Sequence, residues 1–284
     1  MKVFITGING YLGRSFSSYW QTRGHRVSGS ARRPVEIPGV SRITVMHLGD
    51  PFDEGVFEGV DVLLHAAHDF TPGARERNLG GTQAWFDAAA RRGVARQIFL
   101  SSHSSRPDAV SEYGRTKYQL ERMFVDAGHS VLCPGLVVGN GGLLARQRGA
   151  LLRTPIVPVI GKGDDPVALI GIDHFLDAAN AVMEGNRTGV FRLFYEKQPN
   201  TREFVRAIKA NAGQRALFLP ISISVAVALA RAVRALHLPI PVNPEQIRSL
   251  SLNRTAEWHS DLPSLLPGRS GEFTLEDALS RGRA

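Results

Sequence analysis

The chain has 284 residues, of which 43% are apolar and 21% are charged, a composition typical of a globular protein with a sizeable core. Its net charge is +8, but the basic residues are spread along the chain and form no recognised nucleic-acid-binding motif, so we predict no nucleic-acid partner. A basic surface equally suits an anionic substrate or a phosphate-bearing cofactor. Cys133 is the only cysteine, which excludes an internal disulfide.

Two segments bear on location. The start, "MKVFIT", predicts a strand and not a signal peptide, and together with the lone cysteine it indicates a cytoplasmic protein. The most hydrophobic stretch, residues 221–242, is interrupted by Arg231 and Arg234 and so lacks the uncharged length of a membrane span. We predict a buried or amphipathic helix there and no stable membrane insertion, with a monotopic membrane contact as the alternative.

Up to about residue 136, apolar strand patterns alternate with helical patterns. The predicted strands are 2–7, 25–31, 42–48, 61–67, 96–102 and 130–137. The predicted helices are 11–24, 77–93 and 112–128, each closed by a glycine. This alternation is typical of an α/β fold, and we predict a doubly wound parallel (Rossmann) sheet with helices on both faces.

After residue 137 the pattern is less regular. We predict a loop or short helix at 139–149, two short strands about a turn within 156–172, a helix at 173–185, a strand at 190–195 and a helix at 201–212, with the rest mostly helical. The chain is therefore predicted to have a dinucleotide-binding Rossmann domain at 1–137. A smaller, mainly substrate-binding C-terminal lobe follows at 138–284, with some segments returning to the Rossmann sheet.

The segment "TGINGYLG", residues 6–13, joins the first strand to the first helix. Gly7, Gly10 and Gly13 give the spacing G-x-x-G-x-x-G, which lets the backbone turn tightly and approach a pyrophosphate. The helix that follows offers unpaired N–H groups and the positive end of its dipole. A glycine pattern in this position predicts dinucleotide binding.

The end of the second strand bears on the choice of cofactor. An acid there would accept a hydrogen bond from the ribose 2′-hydroxyl of NAD, but this chain has "SGSARR" with Ser30, Arg32 and Arg33. A guanidinium binds a 2′-phosphate through charge-assisted hydrogen bonds. We therefore favour NADP(H), with NAD(H) as the alternative; the arginines are also explained if both simply face solvent.

The segment "SEYGRTKYQ", residues 111–119, places Tyr113 and Lys117 four residues apart on one helix face. An ammonium near a tyrosine hydroxyl favours ionisation of that hydroxyl, which then exchanges a proton near neutral pH. The pattern also occurs by chance, and Lys117 and Glu121 have the spacing of a surface ion pair. The preceding glycine loop and serine-rich strand end favour the catalytic interpretation.

Taken together, these motifs resemble the extended, NAD-dependent epimerase/dehydratase-like branch of the short-chain dehydrogenase/reductase family. The resemblance covers most of the chain and is strongest from residue 1 to about 142. It rests on "TGINGYLG", "LGD" (48–50), "HAAH" (65–68), "NLGGTQ" (78–83), "FLSS" (99–102), "YGRTK" (113–117) and "CPGLVVGNGG" (133–142), in this order.

The resemblance implies a catalytic triad of Ser102, Tyr113 and Lys117, with Ser104 as the reserve for Ser102. In the family, the lysine also holds the nicotinamide ribose and the serine orients the substrate oxygen. With the glycine loop and the end of the second strand included, the predicted cofactor-binding residues are Gly7, Asn9, Gly10, Tyr11, Leu12, Gly13, Ser30, Arg32, Arg33, Gly49, Asp50, Ala66, Ala67, Asn78, Tyr113, Lys117, Pro134, Gly135 and Val137.

Several residues are predicted to contact substrate. They are His68, His103, Ser104, Asn140, Arg146 and Arg148. The histidines have a structural role as their alternative, and the arginines have solvent exposure as theirs. His65, His68 and His103 follow neighbouring strands, but no carboxylate cluster accompanies them and the family needs no metal, so no metal site is predicted.

The predicted function is an NADP(H)-dependent oxidoreductase that transfers hydride at a secondary alcohol or ketone carbon of a small molecule. A nucleotide-sugar ketoreductase or epimerase is favoured, and dehydration is disfavoured because His103 follows Ser102 where dehydratases carry an acid. The alternatives are a reductase of a steroid-like or aryl carbonyl and a non-catalytic NADP-binding sensor. The resemblance also implies a homodimer, joined through helices 77–92 and 112–127.

Overall fold

The computed structural model describes residues 1–235, 259–269 and 274–281. The strands are β1 (Lys2–Thr6), β2 (Arg26–Ala31), β3 (Ile43–Val45), β4 (Val62–His65), β5 (Arg96–Leu100), β6 (Ser130–Pro134), β7 (Leu136–Val138), β8 (Ile156–Ile160), β9 (Leu169–Gly171), β10 (Gly189–Leu193) and β11 (Leu217–Ile221). The helices are α1 (Tyr11–Thr22), α2 (Arg75–Arg91), α3 (Glu112–Asp126), α4 (Gly142–Leu152), α5 (Ile172–Glu184), α6 (Thr201–Ala210), α7 (Ile223–Ala235), α8 (Leu262–Leu265) and α9 (Leu275–Arg281).

A seven-stranded sheet has the strand order β10-β6-β5-β4-β1-β2-β3. The pairs β1–β2, β2–β3, β1–β4, β4–β5 and β5–β6 are all parallel. The chain runs outward from β1 to β3 and then returns to the other side of β1 to begin β4. This is the predicted doubly wound sheet, and the reversal between β1 and β4 opens the crevice where such sheets bind ligands.

Apolar side chains cover the sheet on both faces. On one face, Phe4 and Leu63 pack with Phe57 and with Trp85 of α2 in a single buried cluster. Val3, which alternates with Phe4 along β1 and so points to the other face, has no exposed surface. The near-continuous apolar strands of the sequence are explained by this two-sided burial.

The first of two compact units consists of residues 1–105, 116–133 and 176–191. The second is built from residues 106–115, 134–175 and the described residues from 192 onward. The first unit contains β1 to β5 with α1 and α2. The predicted domain boundary at residue 137 stays a prediction.

The second unit contains two small parallel strand pairs, β8 with β11 and β7 with β9. The two strands predicted within 156–172 are thus present, but each pairs with another segment and not with its neighbour in the chain. The sequence did not predict β11, whose Pro220 interrupts the strand pattern. The region predicted as a loop or short helix at 139–149 forms the helix α4.

The apolar stretch 221–242 begins as β11 and α7, and its residues 236–242 lie outside the described part of the structure. Within the described residues, no helix combines the length and the apolar character needed to cross a bilayer.

Adjacent glycines on α2 provide a test of this packing. A Cβ on Gly81 would lie 2.5 Å from the backbone nitrogen of Gly49, whereas a Cβ on Gly80 would meet no described atom within 4 Å. We expect Gly81→Ala to destabilise the fold by about 1–3 kcal/mol through overpacking. Gly80→Ala should stabilise it by about 0.5–1 kcal/mol, because alanine is the better helix former. Urea unfolding of both variants measures the difference, and equal free energies of unfolding would contradict the packing described.

Candidate active site

The glycine loop forms a tight turn between β1 and α1. Gly7 has a left-handed backbone with φ of 67°, and its amide oxygen accepts a 2.9 Å hydrogen bond from the nitrogen of Gly10. A Cβ on Gly13 would lie 2.5 Å from that same oxygen, so the turn has no room for a side chain there. The predicted glycines therefore have the close backbone packing that their spacing indicated.

The N-terminus of α1 is suited to an anion. Gly10 occupies the N-cap position and has no side chain that could cap the helix. The first turn of α1 contains no acidic residue. The helix dipole and the first-turn N–H groups therefore favour negative charge beside the loop. Asn9 and Gly10 are exposed, while Tyr11 and Leu12 are half-buried. These residues fit the pyrophosphate of a dinucleotide.

Thr6, which the sequence analysis did not single out, joins β1 to the loop after β4. Its Oγ1 accepts hydrogen bonds from the backbone nitrogens of Ala66 at 3.0 Å and Ala67 at 3.1 Å. A Cβ on Gly7 would lie only 2.9 Å from the Cα of Ala67. The predicted cofactor residues Ala66 and Ala67 are thereby fixed beside the glycine loop. A threonine immediately before such a loop is the only signal in the sequence.

The end of β2 also reaches the glycine loop. The carbonyl of Ser30 accepts a 2.9 Å hydrogen bond from the nitrogen of Ile8, and Ser30 itself is buried. Arg32 and Arg33 follow it and are both exposed. The two arginines therefore closely follow a residue that contacts the glycine loop, and their exposed side chains are accessible to a ligand.

Gly49 and Asp50, which follow β3, line an open groove of about 630 Å³ along α2. Asp50 is exposed, with its Oδ2 3.7 Å from Nδ1 of His47. Arg77 of α2 lines the same groove.

Asn78, predicted as a cofactor contact, lies on α2 and hydrogen-bonds to the loop before it. Its Oδ1 accepts a hydrogen bond from the nitrogen of Asp69, and its Nδ2 donates to the carbonyls of Asp69 and Ala74, at 2.8–3.0 Å. The amide is buried and holds the loop between β4 and α2. Its position on a helix after β4 is as predicted, and its role as a cofactor contact stays a prediction.

The segment after β5, Ser101–Ser105, forms a closed turn, which we call the serine turn. The nitrogen of Ser105 donates to the carbonyl of Ser102 at 2.9 Å, and the nitrogen of Ser104 donates to Oγ of Ser102 at 3.2 Å. Ser102 and His103 are half-buried and Ser104 is exposed. Accepting a bond from Ser104 leaves the hydroxyl hydrogen of Ser102 to donate.

Helix α3 presents the predicted tyrosine and lysine on one face. Ser111 caps the helix, since its Oγ accepts from the nitrogen of Gly114 at 3.1 Å. Tyr113 is half-buried in the first turn, and Lys117 follows one turn later. The capping serine thus lies two residues before the tyrosine, and the helix begins at Glu112.

Lys117 is a buried cation. Its side chain donates from Nζ to the carbonyl of Leu100 at 2.7 Å and lies 4.6 Å from the centre of the Phe99 ring. Burial lowers the pKa of the Lys117 ammonium from 10.5 to about 7. Lys117 and Glu121 are each 3% exposed, so the alternative of a surface ion pair between them is wrong.

Glu121 was missed as a member of the site. Its Oε2 accepts hydrogen bonds from Oγ of Ser105 at 2.5 Å, from Oγ of Ser101 at 3.3 Å and from Sγ of Cys133 at 3.3 Å. The available signal was a glutamate at a core position of an amphipathic helix, four residues after the lysine.

Two histidines, His65 at the end of β4 and His68 in the loop after it, have lowered pKa values. Burial lowers the pKa of His65 to about 4 and that of His68 to about 3. Nε2 of His65 lies 2.8 Å from Oε1 of Gln97. The ring of His68 packs edge-on against Phe70, which is 78% exposed and was not predicted. Among the described residues, no three His, Cys, Asp or Glu side chains form a metal-binding group.

The remaining predicted residues lie around β6 and in the second unit. Pro134 ends β6, Gly135 donates from its nitrogen to the carbonyl of Leu193 at 3.0 Å, and Val137 is the centre of β7. Asn140 and Arg148 line a cavity of about 100 Å³, which is also lined by Val138, Gly139, Leu144, Ala145, Ile208, Asn211 and Leu279. The side chain of Arg146 lies outside the described part of the structure.

Comparison with known proteins agrees with this fold. A nucleoside-diphosphate-sugar epimerase from Staphylococcus aureus has a similar structure, with a TM-score of 0.74 and 13% identity over 99% of this chain and 100% of that chain. The structure of MoeE5 in complex with UDP-glucuronic acid and NAD is also similar, with a TM-score of 0.66 and 22% identity over 78% of this chain and 86% of that one. At these identities, the likeness shows the shared fold.

Sequence relatives extend the comparison. A Mycobacterium tuberculosis protein named 3 beta-hydroxysteroid dehydrogenase/Delta 5-->4-isomerase is 26% identical over 261 residues, covering 75% of this chain and 70% of its own. Residues 3–138 match the model of the NAD dependent epimerase/dehydratase family. The matched residues include the glycine loop, the serine turn and the start of α3. The resemblance drawn from the sequence is confirmed: residues 3–138 form a domain of the NAD dependent epimerase/dehydratase family.

Proposed function

We propose that the protein is an NADP(H)-dependent oxidoreductase that transfers hydride at a secondary alcohol or ketone carbon. The observation that carries the proposal is the buried Lys117, whose ammonium is held at the end of β5 one helical turn after Tyr113. A buried lysine with a lowered pKa is a candidate for a functional site. The bound nicotinamide would supply or accept the hydride.

The side chains of α3 and of the serine turn would move and hold the proton. Tyr113 exchanges a proton with the substrate oxygen, and the Lys117 ammonium favours the ionised tyrosine. Ser102 donates a hydrogen bond to the same oxygen and orients the reacting carbon. A non-catalytic sensor would have no need for a lysine that is costly to bury.

The preference for NADP(H) rests on the end of β2. Ser30 is buried against the glycine loop, and the exposed Arg32 and Arg33 follow where an acid would accept from a ribose 2′-hydroxyl. A 2′-phosphate carries negative charge that two guanidinium groups stabilise. NAD(H), which is bound in the similar structure of MoeE5, is the alternative.

A nucleotide sugar is the favoured substrate, acted on by a ketoreductase or epimerase. The similar solved structures include proteins in complex with UDP-sugars, and Arg148 supplies a cation to the cavity it shares with Asn140 and Asn211. A steroid-like or aryl carbonyl is the second candidate. It is favoured by the exposed Phe70 beside the neutral His68 and by the similarity to a hydroxysteroid dehydrogenase.

The proposed homodimer would be formed by α2 and α3. These helices are joined by a 2.9 Å hydrogen bond from Arg75 to Gln119, which suits a common outer surface. The location in the cytoplasm remains a prediction from the sequence.

The role of Tyr113 is tested by Tyr113→Phe. We expect kcat with NADPH and a panel of carbonyl substrates to fall by about 100-fold or more, because the proton donor is lost. The Kd for NADPH, measured by fluorescence titration, should be unchanged. Tyr118→Phe, a half-buried tyrosine on the same helix, is the matched control. Full turnover by Tyr113→Phe would overturn the catalytic assignment.

The cofactor preference is tested by titrating NADPH and NADH into the same protein. NADPH should bind more tightly, and Arg32→Ala or Arg33→Ala should weaken NADPH binding by about tenfold through loss of a charge-assisted hydrogen bond, with little effect on NADH. Arg122→Ala, an exposed arginine on α3, serves as the control. Equal affinities of the unaltered protein for the two cofactors would reject the preference.

The buried lysine also makes stability depend on pH. Between about pH 7 and the ordinary lysine pKa of 10.5, the unfolded chain binds a proton that the folded chain releases, so the free energy of unfolding rises with pH. Lys117→Met should remove this rise in the cofactor-free protein. Lys162→Met, at an exposed position, should retain it. Urea unfolding across this range gives the slopes, and parallel curves for wild type and Lys117→Met would contradict the lowered pKa.

A further inference from the structure

Glu121 is a buried acid, and one of its oxygens accepts from three side chains. It is 3% exposed, and its Oε2 accepts from two hydroxyls and one thiol, those of Ser101, Ser105 and Cys133. The oxygens of a glutamate side chain have several lone pairs, so one side chain can accept from several donors at once. Burying a polar side chain costs free energy. If the residue at position 121 only filled space, an apolar side chain would be more favourable there.

The two serines that bind Glu121 are the two ends of the serine turn. Ser101 continues the sheet, since its nitrogen donates to the carbonyl of Leu132 at 2.8 Å. Ser105 closes the turn through its nitrogen, which donates to the carbonyl of Ser102 at 2.9 Å. The side chains at both ends of the turn therefore donate to the same oxygen of Glu121, and Ser102 lies between them. A shift of either end moves Ser102.

Helix α3 holds this segment at a second point, one turn earlier. Lys117 donates to the carbonyl of Leu100, the residue directly before Ser101, at 2.7 Å. The spacing of four residues between Lys117 and Glu121 brings both groups to the same helix face. One rigid helix thus sets the position of the strand end and of the turn that follows it.

We propose that Glu121 is a positioning residue, which fixes the hydroxyl of Ser102 by holding both ends of the Ser101–Ser105 turn against α3. The assignment rests on the proposed function, because Ser102 is the group through which Glu121 acts on the reaction. A displacement of about 1 Å at a reacting group costs as much as 100-fold in rate, so the precision of this anchor has a direct effect on turnover.

The first test is independent of activity. Glu121→Gln keeps the size of the side chain but replaces one carboxylate oxygen by a donor, and Ser105→Ala removes the 2.5 Å hydrogen bond. In both variants, hydrogen exchange followed by mass spectrometry should show faster exchange at the amides of Ser104 and Ser105. Exchange in β1 and β4 should be unchanged. Glu58→Gln, an exposed acid of the first unit, is the control.

The second test uses kinetics in a double-mutant cycle. Glu121→Gln should lower kcat by about tenfold or more while the Kd for NADPH stays within about twofold, because the turn and not the cofactor loop is displaced. Ser102→Ala should lower kcat strongly in the wild-type chain and much less in the Glu121→Gln chain, since Ser102 is already misplaced there. A general loss of stability would give additive effects.

The outcomes separate the two ideas. If Ser102→Ala leaves kcat unchanged, the role of Ser102 in the proposed function is wrong. The exchange measurement still shows whether Glu121 holds the Ser101–Ser105 turn, because it does not depend on activity. If Ser102→Ala lowers kcat but Glu121→Gln changes neither kcat nor exchange in the turn, the positioning role is wrong. Additive effects in the cycle would also reject it. Ser105→Ala keeps the test open if Glu121→Gln does not fold.

Discussion

The close approach of β1 and β4 is the constraint on which the site depends. Two backbone segments meet there, because a Cβ on Gly7 would come within 2.9 Å of the Cα of Ala67 and Thr6 accepts from both alanine amides. The strand order of the parallel sheet reverses between β1 and β4. This reversal brings the glycine loop after β1 beside the end of β4. The helix dipole of α1 and the residues after β4 therefore face the same crevice.

Much of the sheet was predictable because its strands are buried on both faces and are read from apolar runs bounded by glycines. The weaker elements were not, since β8, β9 and β11 owe their pairing to contacts distant in sequence. Strand β11 contains Pro220, which removes a backbone donor, and its parallel pairing with β8 supplies what local propensity does not. Periodicity identifies single segments, but partners are chosen by the tertiary fold.

The site was predictable where its chemistry depends on spacing along the chain. The glycines and the Tyr113–Lys117 pair belong to this class. Thr6 and Glu121 do not, because their partners lie on other elements. The hydrogen bonds between the Asn78 amide and the loop before α2 were not predicted for the same reason. Side-chain partners across elements are set by three-dimensional packing, which no linear pattern contains.

The face of helix α3 that carries the proposed catalytic residues differs from an ordinary core face. Tyr113, Lys117 and Glu121 follow one another at intervals of four residues and change from half-buried to fully buried along the helix. Apolar residues at these positions would pack without the cost of burying two ionisable groups. Departures from an amphipathic pattern that lower stability are expected at functional sites. In the proposed function, the tyrosine would carry the proton, the lysine would favour its ionised form, and the glutamate would hold the serine that orients the substrate.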